Sequence, residues 1–173
     1  MHDAHFHFSH EIVKEQKQHG LLSICNVANK GEYELVKENG LCYSAGIHPW
    51  YCENSSCQEM FPVMESASFI GEISMDSEWC DVDLSLQKRV FIKQIQYACA
   101  NRKPVILHTK GQEKEILDVL RQYPNVYVIH WYSCFDYVEE YDKVSSFFTV
   151  GPSVGKDETV TELVRKIDLS KLL

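Results

Sequence analysis

The sequence predicts an α/β fold, a TIM-type (β/α) barrel that is incomplete at its eighth strand. Three observations predict it. Eight short apolar segments recur along the chain, at 2–8, 21–27, 41–48, 68–75, 104–109, 126–131, 147–154 and 171–173. Most are β-branched or apolar throughout, which suits strands buried on both faces of a parallel sheet. Amphipathic stretches lie between them with short connections, the alternation of a repeated βα unit. No Gly-rich loop follows the first strand, so a dinucleotide-binding unit has no support. Strand count favours a barrel over an open sheet, although such barrels usually take about 250 residues and this chain has 173.

The first strand reads "HDAHFHF". Alternate side chains of a strand share a face, so Asp3, His5 and His7 oppose Ala4, Phe6 and Phe8. His5 and His7 then stand about 7 Å apart at their Cα atoms. That is close enough to lean onto one metal ion, and equally compatible with facing solvent on an edge strand. The helix-like "HEIVKEQKQHG" and "KGEYELVKENG" each end at a glycine, Gly20 and Gly40, the usual helix exit. The longest helix is expected over 85–101, capped by Ser85, with Leu86, Val90, Phe91, Ile95, Ala98 and Cys99 as its apolar stripe. Another spans 112–123 and stops before Pro124. One domain over 1–173 is expected, with no internal repeat or linker.

A net charge of −8 argues against a broad basic surface of the kind that grips duplex DNA. It leaves room for a polyanionic substrate, because bound divalent cations bring their own local charge. The longest apolar runs are far short of a membrane span and no leader pattern opens the chain, so a cytoplasmic protein without a membrane partner is expected. The seven cysteines are odd in number and scattered, with no C-x-x-C pair. Cys25, Cys42 and Cys99 lie in apolar segments and read as reduced packing residues, and Cys52 and Cys57 as free thiols.

Strands this apolar should exclude ionisable side chains, yet four of them do not. His5 and His7 interrupt the first, Glu72 the fourth, His108 ends the fifth and His130 ends the sixth. A single histidine at a strand end is ordinarily a hydrogen-bonded core residue, and a single Glu could pair with a buried cation. Four interrupted strands together point elsewhere. In a barrel the carboxyl ends of the strands converge on one mouth. Four histidines and one carboxylate there suit one or two divalent ions, with Glu72 as the bridge. His48 in "GIHPW" ends the third strand and faces the same mouth as a substrate-contacting group. Asp76 and Lys110 fall in rim loops, where Lys110 either holds a phosphate or is simply solvated. His19 needs no ligand role, since a helix C-terminus favours it.

The segments "DAHFH", "GIHPW", "IGEISMD", "PVILHTKG" and "VIHWYS", in this order over essentially the whole chain, resemble the TatD-type metal-dependent deoxyribonucleases of the amidohydrolase superfamily. The resemblance implies a TIM barrel, a one- or two-metal site, and hydrolysis of phosphodiester bonds in DNA, at single strands or strand ends, by metal-activated water. Carried over by motif, the ligands are His5, His7, bridging Glu72, His108 and His130, with His48 and Lys110 assisting catalysis. The shell suits Zn, Mn, Ni or Fe, and Mg less well. Three departures stand out. Lys110 replaces the family's usual Arg and lacks its bidentate fork. Trp131 follows His130 where the family usually has Cys. The family's metal-binding Asp at the end of the eighth strand is absent, since the sequence stops at "DLSKLL" and Asp168 precedes that strand. Two further readings remain open: a metal hydrolase acting on another small ester or amide, and a non-catalytic metal-binding relative. A gap at the eighth strand would expose strand edges, so a homo-oligomer is also expected.

Overall fold

The computed structural model describes residues 2–144 and 147–173. Seven strands run parallel in one sheet whose spatial order is their chain order. They are β1 (His2–His7), β2 (Leu22–Val27), β3 (Tyr43–Ala45), β4 (Phe69–Asp76), β5 (Val105–Lys110), β6 (Tyr127–His130) and β7 (Phe147–Phe148). The crossovers carry α1 (His10–His19), α2 (Lys30–Asn39), α3 (Cys57–Ser66), α4 (Leu84–Ala100), α5 (Glu113–Leu120) and α6 (Val138–Val144), and α7 (Glu158–Val164) follows β7. The sheet curls into an incomplete TIM barrel. β1 and β6 lie five positions apart, which in a flat sheet would separate them by about 24 Å. Instead the rings of His5 and His130 are 4.1 Å apart.

The expected elements hold with changed limits. All six residues of β5 are buried, as the apolar run required. α1 and α2 exit through Gly20 and Gly40 in the left-handed region. The longest helix is capped by Asp83, not Ser85, because the Asp83 carboxylate reaches the Leu86 amide at 2.8 Å. β3 shrinks to three residues: Leu41 is tied back to the end of α2 by its amide, and His48–Pro49 turn the chain away into a 3₁₀ turn, Pro49–Tyr51. β7 covers only Phe147–Phe148, with the Thr149 amide still bonded to Ile129, and the chain turns at Pro152, which has no ladder donor. The eighth strand is reduced to one parallel bridge between Leu172 and Phe148, after a 3₁₀ turn at Leu169–Lys171. Cys42, expected to pack, is exposed in the connection before β3, whereas Cys25 is buried.

Candidate metal centre

Three strands and a loop bring their polar ends to one point around Glu72 of β4, which is 4% exposed. His5 Nε2 lies 3.3 Å from one carboxylate oxygen, and His108 Nδ1 lies 3.1 Å from the other. His48 Nε2 comes within 4.0 Å. Ligand atoms of His5, Glu72 and His130 fall within 4.8 Å of one another, and those of His48, Glu72 and His108 do likewise. Two three-donor groups thus share one carboxylate. His7 lies beside them, exposed on the cleft wall with its ring edge-on to His5 at 5.1 Å, and joins neither group.

The electrostatics suit a cation. Burial alone would raise the Glu72 carboxyl, but hydrogen bonds from His108 and His5 outweigh it and hold it well below the usual range. Burial pushes His130 down to about 3, helped by nearby His5, and pushes His48 down to about 4. Both rings are therefore neutral near pH 7 and keep a lone pair. Burial and His5 lower His7 as well. His108 moves the other way: burial would lower it, but Glu72 and Asp76 on either side outweigh burial and raise it. A ring between two carboxylates marks a place where positive charge is favoured.

Neighbouring groups also assign individual ring nitrogens, which decides what each imidazole can do. His130 Nδ1 is taken by the Thr149 hydroxyl at 3.0 Å, leaving Nε2 as the ligand atom. His108 Nε2 is taken by Asp76 at 2.8 Å, leaving Nδ1 toward Glu72. His48 Nδ1 accepts the Trp50 amide at 3.3 Å. Neutral His48 then carries its proton on Nε2, which makes it a hydrogen-bond donor into the cleft and leaves Glu72 and His108 to supply the ligand atoms of its group.

Two expected rim-loop residues are in the sheet. Asp76 and Lys110 end β4 and β5, pair with each other in register, and are buried. Lys110 is 7% exposed; its Nζ donates to the Ser133 hydroxyl at 2.6 Å and sits 4.9 Å from the Trp79 ring centre. It is therefore not a solvated loop lysine. Asn26 is a supporting residue with no place among the sequence expectations, and Asp76, expected only as a rim-loop residue, is a second. Asn26 Oδ1 accepts from the Glu72 amide at 2.7 Å and from Ser44. Asp76 holds His108 and the Trp50 indole. A polar residue inside "SICNV" was the available signal for Asn26, the same signal that singled out the histidines.

The donor set fits a divalent ion: an ionised buried carboxylate, neutral imidazoles within ligand reach of it, and ring nitrogens fixed by second partners. Such a set at the carboxyl ends of barrel strands defines a metal-dependent hydrolase. The family described as TatD related DNase matches residues 2–173, and the chain belongs to it. An uncharacterized metal-dependent hydrolase of Methanocaldococcus jannaschii, MJ1582, is 23% identical over 189 residues, covering 98% of this chain and 75% of that protein. The 3'-5' RNA nuclease TATDN2 of Homo sapiens is 23% identical over 155 residues, covering 81% of this chain and 20% of that protein. In fold, the chain is similar to the TatD homologue YJJV of Escherichia coli K12, with a TM-score of 0.83 at 20% identity, over all of this chain and 77% of the other.

Proposed function

We propose that this protein hydrolyses phosphodiester bonds in DNA, at single strands or strand ends. The observation that carries the reading is Glu72, one buried ionised carboxylate shared by two groups of imidazole donors. In this reading His5, His7, Glu72, His108 and His130 hold one or two divalent ions. The bound ion supplies Lewis acidity at a phosphoryl oxygen and a water of lowered pKa. The chain's own residues do the rest. His48 donates a hydrogen bond from its Nε2–H to a non-bridging oxygen as charge develops there. Lys110 offsets the same charge from the floor of the cleft, as a point charge and not a fork. Asp76 and Thr149 keep His108 and His130 turned toward Glu72.

The test is release of nucleotides from single-stranded DNA with added Mn²⁺ or Mg²⁺, compared with Glu72→Ala, with metal content measured on both. The expected outcome is loss of at least about a hundredfold in rate together with loss of metal. Unchanged hydrolysis and metal content in the variant would overturn the reading. RNA belongs in the same assay, because the activity named for TATDN2 favours RNA cleavage as the second reading. Bound metal with no turnover of DNA, RNA or small phosphoesters would favour a non-catalytic relative.

A further inference from the structure

The chain has three tryptophans, and all three line the cleft above Glu72. Trp50, Trp79 and Trp131 remain 42%, 60% and 48% exposed. Large rings left in water at one cleft are uncommon in a folded protein unless something covers them. Each is held in place by the scaffold. The Trp50 indole donates to Asp76 at 2.7 Å, and the Trp79 amide donates to the same carboxylate at 2.9 Å. Trp131 stacks on His130 with ring centres 4.8 Å apart and planes 22° apart, and its amide donates to Thr149. Its other support is Gly151, where a Cβ would stand 3.3 Å from the indole; any larger residue would crowd the ring. Trp131 also keeps a positive φ of 45°, a conformation that a bulky residue rarely adopts.

Lys110 sits beside one of these rings and the backbone of another. Its Nζ lies 4.9 Å from the Trp79 ring centre and 3.5 Å from the Trp131 carbonyl oxygen. A cation beside an exposed indole face has the chemistry to take a nucleotide: the cation takes a phosphate, and the indole face takes the base. We propose that the Trp79 ring beside Lys110, with Trp131 on the wall of the same cleft, forms a base-stacking slot. The protein then requires an unpaired nucleobase beside the scissile phosphate and discriminates against a bare sugar-phosphate. The proposal rests on the nucleic-acid reading above and adds the specificity that reading lacks. Duplex ends enter only after fraying, since a paired base has no free face to offer. A small phosphoester carries no base and gains nothing from the slot.

The three tryptophans give the test a direct signal, because all the tryptophan fluorescence of the chain comes from this cleft. The intact protein, kept in EDTA to prevent turnover, is titrated with oligodeoxyadenylate and with an abasic strand of equal length and charge. The expected result is quenching by the base-bearing strand and binding at least about tenfold weaker for the abasic one. Trp79→Leu and Trp131→Leu, followed by fluorescence anisotropy of a labelled strand, should shrink that preference to under about threefold, with circular dichroism and metal content checking the fold. Trp79→Leu is the cleaner variant, since Trp131 lies against His130. Equal binding of both strands by the unaltered protein would overturn the slot. Cleavage without base preference would sink the slot alone. Base preference without cleavage of any oligonucleotide would support the slot and sink the phosphodiesterase reading.

Discussion

Asp76 carries more of the site's geometry than any other residue outside the candidate ligands. One oxygen accepts the amides of Glu78 and Trp79 at 2.8 and 2.9 Å; the other accepts the Trp50 indole at 2.7 Å and meets His108 Nε2 at 2.8 Å. Burial would raise its pKa, but these four bonds outweigh burial and hold the carboxyl below its usual range. Asp76→Asn keeps the volume and replaces one accepting oxygen with a donor, so either the loop amides or the His108–Trp50 pair loses its partner. Metal affinity should fall about 10- to 100-fold, as for other groups that orient a ligating histidine. A chelator competition assay checks this, and unchanged affinity would mean His108 is oriented by Glu72 alone. By sequence Asp76 and Lys110 belong in loops, because an acidic and a basic residue after apolar runs look like strand exits. Their pairing with each other, which extends both strands by one residue, is a long-range fact that no local pattern carries.

At the level of elements, legibility followed length and periodicity. α4 was readable from its stripe alone, and β5 from an unbroken apolar run. α3 was not anticipated: Pro62 sits inside it, a residue that ordinarily signals a helix end. Two glutamines of α4, Gln87 and Gln94, are fully buried where the helical pattern has no polar face. Each clamps a loop instead. Gln94 bonds the Ile47 amide and carbonyl at 2.6 and 3.1 Å, and Gln87 bonds the backbone of Asp76 and Val82. The helix thereby positions both the His48 loop and the end of β4. β4 and β5 approach each other closely at Gly71, immediately before Glu72. A Cβ there would stand 2.6 Å from the Ile106 carbonyl oxygen and 2.8 Å from the Ile106 Cβ, and φ is +153°. Backbone cannot yield as a flexible side chain can. Gly71→Ala should therefore destabilise the protein by about 3 kcal/mol, combining overpacking with backbone strain. Urea unfolding should show a lower midpoint at constant slope. A loss under about 0.5 kcal/mol would show that the two strands separate easily.

For the molecule as a whole, the fold class was legible from alternation, but closure was visible only through the site. Five ionisable residues on four strands make chemical sense if those strand ends converge, and convergence requires the sheet to curl. The structure brings His5 of β1 and His130 of β6 together across the part of the barrel where, among the described residues, no full strand lies between β7 and β1. In the metal-free protein the meeting rests on their separate contacts with Glu72 and Thr149. An ion liganded by His5, Glu72 and His130 would join the first, fourth and sixth strands at one point and act as a clasp on the open side. A ligand at about 1,000 times its dissociation constant stabilises the folded state by about 4 kcal/mol. For a chain of this size that is a rise in Tm of roughly 8–16 °C. Glu72→Gln, with one oxygen replaced by a donor, should show little of that rise. Hydrogen exchange locates the effect: added metal should slow exchange in β1 and β6 more than in β3, which contributes no candidate ligand. Equal protection of all strands would mean that the ion stabilises the barrel without clasping it. An unchanged Tm at saturating metal would mean that the two edges are already held together by the chain itself.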